Sequence, residues 1–171
     1  SLSSVSITGP GSFAVASGAT FPNANSLTLL TMTNSGAGSY QTITAPNTTF
    51  SNVVLTNACG GGGNGGVTIS AGTTITLGAT VTTQACNLTV NGTVNVTGST
   101  TWTHTGNITV NSGGVINATG VTTLTLSLGG QGRSLVLNSG AIFNLPSLTT
   151  LTNGGNLTIS SGVTFPSNVT V

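Results

Sequence analysis

A nine-residue pattern returns six times along this chain of 171 residues. Every copy is apolar at positions 1, 3 and 9, and a short turn that contains Gly separates the first two apolar positions from the last. The copies begin at Phe13, Val67, Leu88, Ile108, Leu135 and Leu157. Alternating apolar positions are typical of a strand buried on one face, so each copy predicts two short β-strands joined by a tight turn.

The spacing of the copies predicts how they are arranged in space. The last five starts are separated by 21, 20, 27 and 22 residues, and the first gap of 54 is twice 27. We therefore expect one degenerate copy around Tyr40 to Phe50 and about seven coils of 20–27 residues. A repeat of this length predicts a solenoid, in which each coil buries its apolar side chains against its neighbours.

The predicted fold class is all-β, a single-domain parallel β-solenoid over residues 1–171. Residues 1–12 are expected to form an N-terminal strand that can reach another subunit, residues 13–165 the coils, and residues 166–171 an incomplete last coil. Thr, Val and Ile recur throughout, and no apolar stripe with helical spacing is present. An antiparallel β-sandwich is the alternative, although it does not explain why one motif returns in register.

Position 4 of the pattern is polar and suited to a bend. The later copies have Ser70, Asn91, Asn111, Asn138 and Ser160 there. Stacked coils would align these side chains, and an Asn can adopt the left-handed conformation and bond to the next coil. With such an Asn ladder, the chain resembles right-handed parallel β-helix proteins over most of residues 13–165. The resemblance is architectural and implies no activity, because the pectate-lyase-like enzymes of that fold use Asp, Lys and Arg, and this chain has no Asp or Lys.

Charged residues are nearly absent. Arg133 is the one fixed charge, His104 is the one histidine, and the sequence contains no Asp, Glu or Lys. This composition excludes paired-carboxylate catalysis, carboxylate metal sites and Lys Schiff bases, and one Arg cannot neutralise a nucleic-acid backbone. We therefore expect no enzyme activity, no catalytic residue, no cofactor, no metal and no nucleic-acid partner. No apolar run approaches the roughly 18 residues of a membrane-spanning helix.

The two cysteines fit the coil spacing. Cys59 and Cys86 are 27 residues apart, which equals the gap from Tyr40 to Val67 and would place them at matching points of adjacent coils. Adjacent strands lie about 4.8 Å apart, within the Cα separation that a disulfide tolerates. We expect a disulfide and hence a secreted protein, extracellular or at the cell surface; two buried free thiols are the alternative. A start at Ser1 without Met fits a mature secreted product, as it fits a fragment of a longer chain.

Both ends of the sequence alternate like strands and contain no charged residue. The apolar members of these end segments are Leu2, Val5, Ile7, Val169 and Val171. Without a cap or a repelling charge, such strand edges favour pairing with another copy. A contact that joins one end to the other does not close on itself and produces a filament. The predicted function is therefore a structural subunit of an extracellular filament whose partners are copies of itself.

Threonine pairs recur late in several coils. They are Thr31/Thr33, Thr103/Thr105, Thr123/Thr125 and Thr150/Thr152. Stacked, they would form a flat surface that resembles the ice-binding face of small β-solenoid antifreeze proteins. The alternative function is therefore a Thr-ladder ice-binding module or a glycan-binding adhesin module. Thr is also simply a good neutral outward residue for a strand, which needs no ligand.

Asn-x-Ser/Thr sequons suggest covalent glycans as further partners. The candidates for glycosylation are Asn47, Asn87, Asn107, Asn117, Asn156 and Asn168. Glycans would provide solubility that charge does not. Asn91 is also a sequon, but we assign it to the Asn ladder.

Three remaining features have structural interpretations. Trp102 and His104 share one face of a strand by alternation, so we expect both to be packed inward. Arg133 follows the Gly-rich residues 129–132, and we expect it at a solvated loop tip. The Gly-rich residues 60–66 predict a flexible protrusion and not a phosphate loop, because no Lys and no helix follow them.

Overall fold

The computed structural model contains β-strands and no helix among the residues that it describes. It describes residues 4–8, 13–14, 29–34, 40–45, 48–57, 65–77, 87–128 and 131–171. The strands are β1 (Ser4–Thr8), β2 (Phe13–Ala14), β3 (Leu29–Asn34), β4 (Tyr40–Thr44), β5 (Thr48–Asn57), β6 (Gly66–Ile69), β7 (Thr73–Leu77), β8 (Asn87–Val90), β9 (Thr93–Val96), β10 (Thr101–His104), β11 (Ile108–Val110), β12 (Val115–Asn117), β13 (Thr123–Leu128), β14 (Gln131–Gly132), β15 (Leu135–Leu137), β16 (Ile142–Asn144), β17 (Thr150–Asn153) and β18 (Leu157–Ile159).

The strands form three sheets that are the sides of a coil. Sheet A has the order β1-β3-β5-β7-β9-β12-β16, and sheet B has the order β2-β4-β6-β8-β11-β15-β18. Sheet C contains β10, β13 and β17, with β14 attached to β13. Strands that are neighbours in a sheet come from successive coils, and they pair in parallel. Among the described strands, the one antiparallel pair is the small β13–β14 hairpin within a single coil.

Parallel pairing confirms the predicted all-β parallel solenoid and excludes the antiparallel sandwich. Sheets A and B each contain seven strands. In the described part of the chain, strands on sheet C together with the Thr150–Thr170 bridge define about four turns with three sides. The count of about seven complete coils therefore stays a prediction.

The core is a stack of apolar side chains that point into the coil. On sheet B, Leu88, Ile108 and Leu135 lie directly above one another, and all three are buried. On sheet A the aligned positions are Ile75, Val94, Ile116 and Phe143. Each coil packs its apolar side chains on those of the coil before it. The motif repeats because side chains stacked in register must match in size and polarity.

Left-handed glycines make the turn within four of the copies. Gly72, Gly113, Gly140 and Gly162 have φ between 76° and 82°. They occupy position 6 of the pattern in their copies, where only a residue without a Cβ adopts this conformation freely. The tight turn sets the angle between sheet B and sheet A.

One copy has a shorter turn than the sequence pattern suggests. In the copy that begins at Leu88, the residue that stacks on Ile75 is Val94 and not Val96 at position 9. The chain saves two residues because Gly92 lies directly against the coil below, where a Cβ would overlap the carbonyl oxygens of Ser70 and Thr73. Position 9 of that copy was therefore misassigned.

The N-terminal copies are also shifted relative to the prediction. The expected degenerate coil is present, since β4 lies between β2 and β6 in sheet B. Phe13, however, pairs with Ile43, which pairs with Ile69 at position 3 of its copy. The motif match had placed Phe13 at position 1, so that assignment is wrong by two residues. The buried Gln41 occupies position 1 in the intervening coil, which explains why the pattern was hard to see there.

Gly92→Ala should destabilise the protein by about 3 kcal/mol or more, because backbone oxygens cannot move aside cheaply for the new methyl group. Gly120→Ala is the matched control. Its Cβ would meet only Ser99 O, at 3.7 Å, so we expect a change within about 0.5 kcal/mol. Urea unfolding followed by circular dichroism measures both values, and equal midpoints would contradict the close approach of the two coils at Gly92.

Candidate functional site

A ladder of Asn side chains runs along the bend between sheets B and A. Asn111 Nδ2 donates to Asn91 Oδ1 at 2.8 Å, and Asn138 Nδ2 donates to Asn111 Oδ1 at 2.8 Å. The ladder predicted for position 4 is therefore present at these three residues, which we call the first Asn ladder. In the preceding coils the same rank continues with a hydroxyl contact of 2.7 Å between Thr44 and Ser70.

A second Asn ladder, absent from the sequence predictions, lies on sheet A. Asn117 Nδ2 donates to Asn95 Oδ1 at 3.1 Å, and Asn144 Nδ2 donates to Asn117 Oδ1 at 3.3 Å. These residues occupy outward positions of β9, β12 and β16, aligned in register. In the sequence, this ladder is indicated by an Asn one residue after the last inward residue of three copies. The wrong register of the Leu88 copy concealed that alignment.

A third rank of polar side chains accepts hydrogen bonds from the main chain of the next coil. The Asn107 amide N–H donates to Asn87 Oδ1 at 2.9 Å, and the Ser134 N–H donates to Asn107 Oδ1 at 2.8 Å. The Asn156 N–H continues the rank with a bond of 3.1 Å to Ser134 Oγ. These contacts tie four successive coils together at the entrance to sheet B.

Between the first Asn ladder and this third rank, the outer face of sheet B presents a row of five threonines and one valine. The aligned residues are Thr42, Thr68, Thr89, Thr109, Val136 and Thr158. Most of them are half-buried, and Thr158 is exposed. The outer face of sheet B is therefore regular, uncharged and held in place by hydrogen bonds on both sides.

Sheet C presents a second, smaller threonine surface. Its six members, the sheet C Thr array, are Thr101, Thr103, Thr123, Thr125, Thr150 and Thr152. The stacking of Thr123/Thr125 on Thr150/Thr152 is as predicted. The third pair is Thr101/Thr103 and not Thr103/Thr105, because Thr103 pairs with Thr125. Thr105 lies past the end of β10 and is buried.

The pair Thr31/Thr33 lies on a different side of the molecule from the other pairs. It belongs to β3 in sheet A, aligned with Ser6 and Thr8 of β1. Sheet C contains no strand from this coil among the described residues. The four predicted pairs therefore do not form one continuous face.

A groove opens beside the last strand of sheet A. Two adjoining cavities of about 250 Å³ each share Phe143, Asn144 and Thr164 in their walls. Leu145, Pro146, Leu148, Pro166, Ser167 and Asn168 complete one cavity, while Ala141, Ile142 and Gly162 complete the other. We call them together the C-terminal groove. None of the lining residues is charged, so the groove is suited to an uncharged, partly apolar occupant.

The last two described coils leave apolar side chains uncovered. Ile142, Ile159 and Val171 are 53%, 40% and 67% exposed. Val169, the other predicted interface residue of this end, is half-buried against the core. Val5 and Ile7 lie in β1, the outermost strand at the opposite edge of sheet A, and Leu2 lies outside the described residues.

The aromatic and ionisable side chains singled out in the sequence are buried. Trp102 and His104 are buried as predicted, with ring centroids 6.2 Å apart in an edge-to-face arrangement. Arg133 is only 9% exposed, which corrects its assignment to a solvated loop tip. The excursion from the coil is made by the β13–β14 hairpin, and Arg133 lies after it, where the chain turns back into β15.

Several predicted positions remain untested. Cys59, Cys86 and Asn47 lie outside the described residues, as do residues 60–64, whereas Gly65 and Gly66 are buried at the start of β6. Of the other sequons, Asn87, Asn107 and Asn117 form the inter-coil bonds described above. Asn156 and Asn168 are exposed.

The described residues contain no group of His, Cys, Asp or Glu side chains that could hold a metal ion, and no helix suited to crossing a membrane. Comparison with known protein families, with curated proteins and with solved structures finds no match for this chain. Conclusions on function therefore depend on the surfaces described here.

Asn111→Ala should cost about 2 kcal/mol of unfolding free energy, since it leaves half-buried Asn91 Oδ1 and Asn138 Nδ2 without a partner. The same substitution at Asn144 removes one longer bond from an exposed residue, and we expect less than about 1 kcal/mol. Chemical unfolding of both variants measures the difference. A larger effect at Asn144 would show that the first Asn ladder does not hold the coils together.

Proposed function

We propose that this chain is a structural subunit of an extracellular filament in which copies stack end to end. In this proposal the subunit is a single domain of about seven coils with a Cys59–Cys86 disulfide, and its partners are further copies of itself. It is secreted and has no enzymatic role, and glycans on exposed Asn156 or Asn168 add solubility. The seven strands in both sheet A and sheet B support the coil number.

The observation that most supports stacking is a core position left uncovered at β18, the last strand of the described chain. Ile159 lies in register on Leu137, and the same rank continues through Val110 and Val90. Those three side chains are fully buried, whereas Ile159 is 40% exposed. A further coil laid on β18 would bury Ile159 just as the coil containing β18 buries Leu137.

The polypeptide also lacks the usual defences of an exposed strand edge. Natural edges are protected by Lys, Pro, bulges or a covering element. Strand β18 has none of these within its three residues, and no described element pairs with its outer edge. With a formal net charge of +1 on 171 residues, long-range repulsion between copies is negligible. Association along the solenoid axis is then favoured.

Ile159→Asp should abolish filament formation while leaving the coil folded, because a charge would be buried without a partner at the junction between copies. Thr158→Asp is the matched control, as it places the same charge on the outward face of the same strand. We expect filaments from the native chain and from Thr158→Asp, and particles of one subunit from Ile159→Asp. Electron microscopy and sedimentation velocity measure the assembly state.

Circular dichroism of both variants checks that the β-structure persists. If the native chain is monomeric at high concentration, or if Ile159→Asp assembles as well as Thr158→Asp, end-to-end stacking through this coil is refuted.

The sheet C Thr array supports a second candidate function, the binding of ice or of a glycan. Its threonines lie in two aligned rows on a parallel sheet, with Thr101 and Thr152 exposed. Rows of hydroxyl and methyl groups at the strand spacing of about 4.8 Å offer a regular surface to a regular ligand. In this case the protein would act as a separate module and would not need to form filaments.

If this second function holds, Thr125→Lys should remove thermal hysteresis or glycan-array binding, because it places a long charged side chain in the middle of the array. Ser112→Lys, at an exposed turn away from sheet C, should leave either activity intact. Neither activity in the native protein, or equal loss in both variants, would exclude the Thr array as a binding surface.

A further inference from the structure

The C-terminal groove lies where sheet A ends before the other two sheets do. On sheet B the last coil is bonded to the coil below, with the Ser160 N–H donating to Leu137 O at 2.9 Å. On sheet C the Thr170 N–H donates to Thr149 O at 3.0 Å. On sheet A, no backbone hydrogen bond joins residues 163–168 to β16 in the part of the chain that the structure describes.

Side-chain contact, and not main-chain pairing, keeps this segment near β16. The rings of Phe143 and Phe165 stack at 5.7 Å between centroids with an angle of 4° between their planes. Beside them, the main-chain bonds of Ile142 and Asn144 are directed back to the coil below, toward Gly114 and Ala118. The outer edge of β16 therefore has strand geometry but no strand partner among the described residues.

We propose that the C-terminal groove is an acceptor site for strand β1 of a second copy, which adds to β16 as a further parallel strand of sheet A. This inference rests on the filament proposed above and identifies the two elements that form its junction. The incoming strand takes the place of residues 163–165, which now carry the Phe165 ring over Phe143, and pairs with the outer edge of β16 by β-strand addition.

Strand β1 is the appropriate occupant because it belongs to the same sheet and lies at its opposite edge. It pairs on one side with β3, and its other side has no partner in the described chain. Its apolar residue Val5 aligns with Leu30, which aligns with the buried Val53. Added to β16, strand β1 of a second copy would therefore continue sheet A from one described edge to the other.

The register of sheet A also suggests which side chain enters the groove. The rank that contains Val5 runs through Leu30, Val53, Leu77 and Val96. The next positions in this rank are Ala118 and Leu145, each one residue past the end of its strand, β12 or β16. Leu145 lines the groove. In this register Val5 of the second copy would lie over Leu145. A cavity of about 150 Å³ suffices for a benzene-sized apolar group, so one of 250 Å³ accommodates Val.

Charge and composition agree with this occupant. The groove lining and the five residues of β1 are all uncharged. An acidic or basic peptide would not match this groove.

A synthetic peptide of residues 2–9 tests the site directly. We expect the labelled peptide to bind the full chain, kept at a concentration at which sedimentation shows it to be monomeric, with a rise in fluorescence anisotropy. A peptide with Val5→Asp and Ile7→Asp should bind about 10-fold more weakly or worse, because it would bury carboxylates. Hydrogen exchange should show protection of the Phe143 and Leu145 amides when the native peptide binds.

A variant of the groove provides the matched protein control. Thr164→Trp introduces an indole at an exposed position that lines both cavities and should weaken peptide binding by about 10-fold or more. Thr152→Trp, exposed on sheet C of the preceding coil, should leave binding unchanged.

The outcomes separate this proposal from the filament itself. Filaments that form equally well from Thr164→Trp, or peptide binding that Thr164→Trp does not weaken, would overturn the groove as the acceptor while leaving the filament proposal in place. Specific peptide binding without filaments at any concentration would refute the filament and retain the acceptor site.

Discussion

Hydrogen bonds between one coil and the next hold this protein together. In the part of the chain that the structure describes, the main chain of each strand pairs with strands from the coils above and below, apart from the small β13–β14 hairpin. Polar side chains follow the same rule, because the Asn ladders and the Asn87–Asn107–Ser134 rank all connect successive coils. Each coil therefore stabilises its neighbours and depends on them, and a terminal coil has half of the contacts of an inner one.

This arrangement explains how the protein can fold with so few charged groups. In most proteins, charged side chains cover the surface and keep molecules apart. Here the outward positions of the described strands are mostly Thr and Asn, and several of these side chains bond to one another along the axis. The same neutrality that permits regular side faces also removes the repulsion that would keep the ends of two copies apart.

The sequence predicted the features that depend on the periodic pattern. Coil spacing, parallel stacking and the first Asn ladder all follow from the motif, because identical positions in identical turns must align.

The sequence could not predict departures from that pattern. The two-residue shortening at Gly92 depends on a close contact with the coil below, and the shift at Phe13 depends on a coil whose first apolar position is occupied by Gln41. Arg133 was misplaced because its Gly-rich neighbours resemble a loop tip, whereas the hairpin before it forms the excursion. The C-terminal groove has no sequence signature, because it arises where residues 163–168 make no main-chain bond to β16.

The side-chain amides of both Asn ladders share one orientation. In every bond the Nδ2 group belongs to the later coil and the Oδ1 group to the earlier one, as in Asn138 to Asn111 and Asn144 to Asn117. The side-chain amide dipoles of each ladder therefore all point in the same direction along the axis. If two such ladders met by equivalent ends, donors would face donors or acceptors would face acceptors. If they met by opposite ends, each Nδ2 donor would face an Oδ1 acceptor. In the filament proposed above, stacked copies would therefore all point the same way, and the two tips would differ in structure.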